Sequence, residues 1–213
     1  MMKRDEKNIN SRSEIIQASL KEFANESYSN ASINKICSEN NISKGRIYHH
    51  YGGKDELYLI CVKTCFEELS RVLQREVKIY DGDINRSIQS YFKARSNFFN
   101  ENKELGEVLC NTNIDSPIHL KDKIKELREE LDKTNEHLIK LMLSQVKLRN
   151  NISIDEAMDY FLKFEMLLDS SFKESQKDRD ISKTRSIIEI HEKTITKMLD
   201  LMFYGIAKQG EEE

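Results

Sequence analysis

One proline and seven glycines are spread over 213 residues, and those few breakers sit at apparent junctions. Sheets joined by tight turns need more of both, so the chain reads as all-α, with Lys, Glu, Leu, Ile and Asn recurring at helical spacing. Long apolar runs are also missing. The longest, Leu57 to Val62, is one face of a helix and far short of a membrane span. The opening Met1-Met2-Lys3-Arg4-Asp5-Glu6 is charged and has no apolar centre, so it does not read as a signal peptide. The expectation is a cytoplasmic protein, with no membrane partner, whose four cysteines (37, 61, 65 and 110) are reduced.

An excess of one charge is lacking too. A third of the residues are charged, yet the net charge is −3. That excludes a uniformly basic nucleic-acid binder and requires any DNA contact to come from a local patch. Catalytic signatures are equally scarce. The five histidines (49, 50, 119, 137 and 191) form neither H-x-x-x-H nor E-x-x-H, and there is no Gly-rich phosphate loop, Ser nucleophile elbow or C-x-x-C. No catalytic residue, metal ligand or cofactor is expected. Cys61 and Cys65, four residues apart on one helix face, are either half of a metal or thiol-sensing site or two small buried apolar residues.

What the chain does have is punctuation between helical stretches. Ser11-x-x-Glu14 has the form of a capping box and opens a first helix to about Glu26. Ser32 can cap a short second helix with Ile33, Ile36 and Cys37 inward. Asn40-Asn41-Ile42-Ser43 is a turn in which Asn41 tolerates the left-handed region, and Ser43 can cap a third helix ending near Tyr51. Gly52-Gly53 breaks the chain before a long helix opening at Lys54. Further helices are expected from Ile84 to Asn100, Lys103 to Asn111, Pro117 to Arg149, Ser153 to Lys177 and Lys183 to Ala207. That makes about nine helices in series. Residues 1–10 read as a flexible arm, 11–58 as one domain, 59–208 as a second helical domain and 209–213 as a tail.

Residues 32–51 have the makings of a helix-turn-helix, which needs a buried seam to fix the helix angle and exposed donors on its second helix. Ile33, Ile36, Ile42, Ile47 and Tyr51 can supply the seam, and Lys44, Arg46, Tyr48, His49 and His50 the donors. Gly45 leaves room for a phosphate, while Ser32 and Asn34 start the helix that would touch the backbone and Lys54 can add a contact. The segments I36-C37, N-I-S-K-G, I-Y-H-H-Y and K-D-E-L, in this order and spacing, resemble the DNA-binding domain of TetR-family transcriptional regulators. The resemblance runs from about Ile15 to Tyr58, the N-terminal quarter of the chain.

That resemblance implies an all-α regulator: an N-terminal three-helix DNA-binding domain followed by a larger helical domain for ligand binding and dimerisation. It places Lys44, Gly45, Tyr48, His49 and His50 at bases or adjacent phosphates, and Ser32, Asn34, Ser43 and Lys54 on the backbone. Arg46 departs from the family's small Thr or Ser. It would either read guanine, worth about 1–3 kcal/mol of discrimination, or bind a phosphate without reading sequence. The implied partners are a second copy of the chain, a palindromic double-stranded operator with reading helices about 34–36 Å apart, and a small lipophilic effector.

Beyond residue 60 no motif stands out. Phe66, Tyr91, Arg95, Phe99, Cys110, Met142, Phe164 and Phe172 are candidates for the wall of an effector pocket, although aromatic and Met side chains at helical spacing also make ordinary core. Arg95 would face an anionic effector or solvent. The last two helices carry Phe161, Leu168, Ile188, Ile195, Met198 and Met202, candidates for a four-helix dimer interface or for intrachain core. The functional expectation is a ligand-released repressor. Its alternative is a helical protein-interaction module that keeps the scaffold without binding an operator.

Overall fold

The computed structural model describes residues 2–163 together with 193, 194, 197 and 201. Among them the chain is all-α: α1 (Met2–Asn25), α2 (Ile33–Asn40), α3 (Lys44–His50), α4 (Lys54–Glu76), α5 (Ile84–Glu101), α6 (Lys103–Ile114), a 3-10 turn (Ile118–Leu120), α7 (Lys121–Ser144) and α8, helical over 154–163. Of the last expected helix, Lys183 to Ala207, residues 193, 194, 197 and 201 alone are described, and they are helical.

Caps explain the boundaries of α2, the start of α3 and the start of α8. The Ser32 hydroxyl accepts the Asn34 N–H at 3.2 Å, and the Ser43 hydroxyl accepts the Arg46 N–H at 3.2 Å. Each cap satisfies a donor that the helix start leaves open, worth about 1 kcal/mol. Asn41 ends α2 at φ 53°, the left-handed conformation its side chain tolerates. Ahead of α8, Ser153 and Glu156 form a reciprocal capping box: the Ser153 N–H donates to Glu156 Oε2 at 2.9 Å, and the Glu156 N–H to Ser153 Oγ at 3.2 Å.

Three expectations are corrected. The first helix begins at Met2, so the stretch expected as a flexible arm is helical and Ser11-x-x-Glu14 is no start signal. Residues 3–10 contain no Gly or Pro to interrupt the helix. Pro117 does not open the long helix directly. With ψ 128° it precedes the 3-10 turn, and α7 follows from Lys121. That helix ends at Ser144 rather than Arg149. The Gln145 and Val146 N–H groups bond back three residues, to Met142 and Leu143 carbonyls at 3.1 and 3.3 Å, and tighten the last turn.

The chain forms two compact units that do not follow chain order. The first joins Met1–Glu67 to Asn102–Arg128, and the second joins Glu68–Glu101 to Glu129–Glu213. In the first, Ile15, Phe23, Ile36, Ile47, Leu57 and Val62 are buried to within 2% exposure, so one apolar centre fixes α1 to α4. Phe23 and Tyr28 both pack edge-on against Tyr58, with centroids 5.0 Å apart in each pair. α6 completes this unit. The Asn111 amide donates to the Phe23 and Ala24 carbonyls at 3.2 and 3.3 Å, capping the C-terminus of α1, and the Tyr58 and Thr112 hydroxyls bond at 2.9 Å.

The second unit has its own core, with Leu73, Phe98, Met142 and Leu143 almost fully buried. Its buried polar groups are paired. Ser70 bonds Thr134 at 2.8 Å, and the Tyr91 hydroxyl donates to Asn135 Oδ1 at 3.0 Å. No helix among the described residues is long and apolar enough to cross a membrane.

Candidate nucleic-acid interface

α3 is seven residues long and too short to be stable alone, so its orientation comes from packing. Ile47 is fully buried and Tyr51, its C-cap, nearly so. With buried Ile36 and Ile42 they form the seam between α2 and α3, while Ile33 and Cys37 are only half-buried. The opposite face is open. Lys44, Gly45, Tyr48 and His49 are exposed, Tyr48 by 56% despite its large ring. A Cβ added at Gly45 would meet nothing within 4 Å, so intrachain packing does not require a glycine there. An exposed aromatic beside a Lys, a His and an open backbone suits a charged polymer better than bulk water.

The remaining donors are already engaged. Arg46 reaches back to α1: its Nε–H donates to Ser11 Oγ at 2.7 Å, and its guanidinium pairs with Glu14. Ser11 Oγ also lies 3.1 Å from His50 Nε2. Because Arg only donates, the hydroxyl accepts from Arg46 and is free to donate to a neutral His50 ring. His50 is held below the usual histidine value, by burial first and then by the charges of His49, Arg12 and Arg46. Lys54 donates to the Ser29 carbonyl at 3.3 Å and lies 4.6 Å from the centre of the Tyr28 ring. Ser32 and Ser43 serve as caps, and a hydroxyl that accepts from a backbone N–H can still donate its own proton to a phosphate. Asn34 is exposed.

Several residues in this unit carry no conspicuous mark in the sequence. Glu22, 4% exposed, accepts the Ser32 N–H at 2.9 Å and pairs with Lys35 at 3.3 Å, which offsets the cost of burying a carboxylate. Its position inside the apolar stripe of α1 was the available signal. Tyr28, Asp55 and His119 form a second cluster. The Tyr28 hydroxyl donates to Asp55, and His119 Nε2 lies 3.1 Å from the other Asp55 oxygen. The Tyr28 bond, then His119, holds Asp55 below its usual range, whereas burial and Asp55 raise Tyr28 to about 12.

Other candidates separate cleanly. Cys61 and Cys65 are fully buried, and burial pushes their thiols well up and that of Cys110 to about 12. No group of three His, Cys, Asp or Glu among the described residues is placed to hold a metal. Of the effector-pocket candidates, Phe66 and Cys110 belong to the first compact unit, and Tyr91, Arg95, Phe99 and Met142 to the second. Arg95 is half-buried rather than solvent-exposed, with its guanidinium 5.7 and 5.6 Å from the Tyr91 and Phe99 rings. Phe164 and Phe172 lie outside the described residues. So do Leu168, Ile188, Ile195, Met198 and Met202 of the expected interface, whereas Phe161 is buried within the chain.

Residues 15–60, which contain the whole seam and the open face of α3, match the model for bacterial regulatory proteins of the tetR family. Over that stretch the chain resembles the DNA-binding head of the tetR family. The chain is 35% identical over 54 residues to the HTH-type transcriptional repressor AcnR of Corynebacterium efficiens; the match spans 25% of this chain and 29% of that repressor. The fold extends further. A TetR-family transcriptional regulator from Chloroflexus aurantiacus superimposes with a TM-score of 0.58 at 18% identity, covering 94% of both chains. FadR from Bacillus subtilis, in complex with stearoyl-CoA, superimposes with a TM-score of 0.55 at 13% identity over 84% of this chain and 97% of that one. At these identities the likeness is one of fold. Family members are regulators, and an enzymatic reading has no support from them.

Proposed function

We propose that this protein is a tetR-family transcriptional repressor that grips duplex DNA with the open face of α3. The observation that carries the reading is the pairing of a buried seam with an outward Lys44, Gly45, Tyr48 and His49 face on which, among the described residues, His49 alone has a side-chain contact, edge-on with the His50 ring. Lys44 and the α3 backbone at Gly45 approach phosphates; Tyr48 and His49 reach base edges or the flanking backbone; Ser32, Asn34 and Ser43 donate to phosphates from the helix starts. His50 and Lys54 act mainly by holding α3 and α4 in place, through Ser11 and through Tyr28 with Ser29.

A seven-residue reading helix covers few bases, so tight binding calls for two copies on a palindromic site about 34–36 Å apart. The terminal helices, with Leu168, Ile188, Ile195, Met198 and Met202, would supply the contact between copies, and a small effector bound in the helical domain would release the DNA. DNA and effector must then weaken each other by the same factor.

The test is fluorescence anisotropy with DNA from the gene's own upstream region, at two salt concentrations. Saturable binding that weakens steeply with salt, and that is lost in Tyr48→Ala, supports the reading. Equal binding by Tyr48→Ala, or no salt-dependent binding to any fragment, leaves the protein-interaction module in its place.

A further inference from the structure

The second compact unit contains a groove of about 320 Å³, walled by the end of α4, the connection over 77–83 and one stripe of α5. The connection is fastened along α5 by side-chain hydroxyls. The Lys78 N–H donates to Ser90 Oγ at 2.9 Å and the Tyr80 N–H to Ser87 Oγ at 2.8 Å. This leaves Lys78 and Tyr80 facing Arg86, Ser90 and Lys93, which recur at helical spacing on α5.

The charge balance of the groove is one-sided. Lys78, Arg86 and Lys93 line it, and none of the three is ion-paired with a described residue. The single carboxylate in the lining, Glu76, is paired with Arg75 at 2.7 Å. Three like charges around one concavity repel each other, and no described residue compensates them. The Arg86 guanidinium is stacked over the Tyr80 ring at 4.1 Å from its centre, which holds the planar donor fork in one orientation. A fork held in this way suits a bidentate anionic group, and two flanking ammonium groups suit a second negative charge. The volume is that of a small ligand site.

We propose that this groove binds a small dianion through Arg86, Lys78 and Lys93, its negative groups being phosphate or carboxylate. Such a ligand differs in chemistry from the lipophilic effector, and the site shares no residue with the apolar pocket candidates. The inference does not rest on DNA binding.

Isothermal titration of the full chain in a phosphate-free, low-salt buffer tests it, with inorganic pyrophosphate and succinate as probes. Saturable binding at one site per chain is expected for at least one probe, and the stronger of the two tells phosphate from carboxylate. The Arg86→Gln/Lys93→Gln double variant should bind at least about tenfold more weakly at unchanged helicity. Should that variant fail to fold, exposed Lys93→Gln alone carries the comparison. Absence of saturation with both probes up to the millimolar range, or undiminished binding by the folded variant, overturns the proposal.

Discussion

The two sides of α3 are built on opposite plans. The outward side offers Lys44, Gly45, Tyr48 and His49 to solvent, with the edge-on contact of His49 on the His50 ring as its one side-chain contact among the described residues, whereas the side toward α1 ties Arg46 and His50 to Ser11 and Glu14. One side is available to a partner. The other sets the angle at which the first is presented. The comparison teaches that a donor-rich sequence is not a count of contacts to come: part of the positive charge on a reading helix can be spent on holding it.

The largest effect that would break this contrast is on the open side. Lys44→Ala and Tyr48→Ala should each weaken operator binding by about 1–3 kcal/mol, roughly 5- to 150-fold, at unchanged Tm. A drop in Tm matching the loss of affinity would show that these residues also hold the fold. Gly45→Ala sharpens the point. Alanine favours helix by up to about 1 kcal/mol, so the variant should melt at the same temperature or higher while binding DNA several-fold more weakly. A gain in both would remove the argument that the DNA backbone comes close at Gly45.

On the tethered side the effects are smaller and fall first on stability. Arg46→Ala and Glu14→Ala should each lower Tm by a few degrees, in keeping with about 1 kcal/mol or less for an exposed ion pair, and the double variant should lose less than the sum. Full additivity would mean the two residues do not act on each other. If Arg46→Ala instead relaxes selectivity at one base pair with Tm unchanged, Arg46 reads guanine and the tether gives way on DNA.

The smallest effect is one of pH. His50 is held below the ordinary histidine value by burial, His49, Arg12 and Arg46, so the unfolded chain takes up the proton first. Stability contributed at this site is therefore intact above about pH 6.5 and falls as pH drops from there toward the folded value. His50→Gln should flatten that part of the Tm–pH curve, which a set of thermal melts between neutral and mildly acid buffers can check.

How much of this was legible in the sequence depends on how far each partner lies along the chain. Ser32, Asn41 and Ser43 act within three residues of their own positions, and their roles were readable from residue type alone. The Ile36–Ile42–Ile47 seam follows from spacing. Ser11 and Glu14 misled because their pattern has a local meaning, a capping box, and their actual partners lie more than thirty residues away on α3. Arg46 was recognisable as unusual, but its engagement with α1 required the fold. The groove over 77–97 carries no motif. Its lining is ordinary Lys, Arg, Ser and Tyr, and only the hydroxyl bonds from α5 to the connection turn them toward one space.

Asn111, which closes the end of α1 from a helix almost ninety residues further on, bears on how such proteins exchange parts. The segment that matches the family stops at residue 60, which invites the view of a head that evolution or an engineer can move intact from one regulator to another. In this chain the head has a second contributor, residues 102–128, encoded on the far side of α5. A graft cut after residue 67 would carry the reading helix but leave the carbonyls at the end of α1 bare and Tyr58 without its Thr112 partner. A transplant that works must take two pieces of gene, or find a new host that happens to offer an amide in the same place.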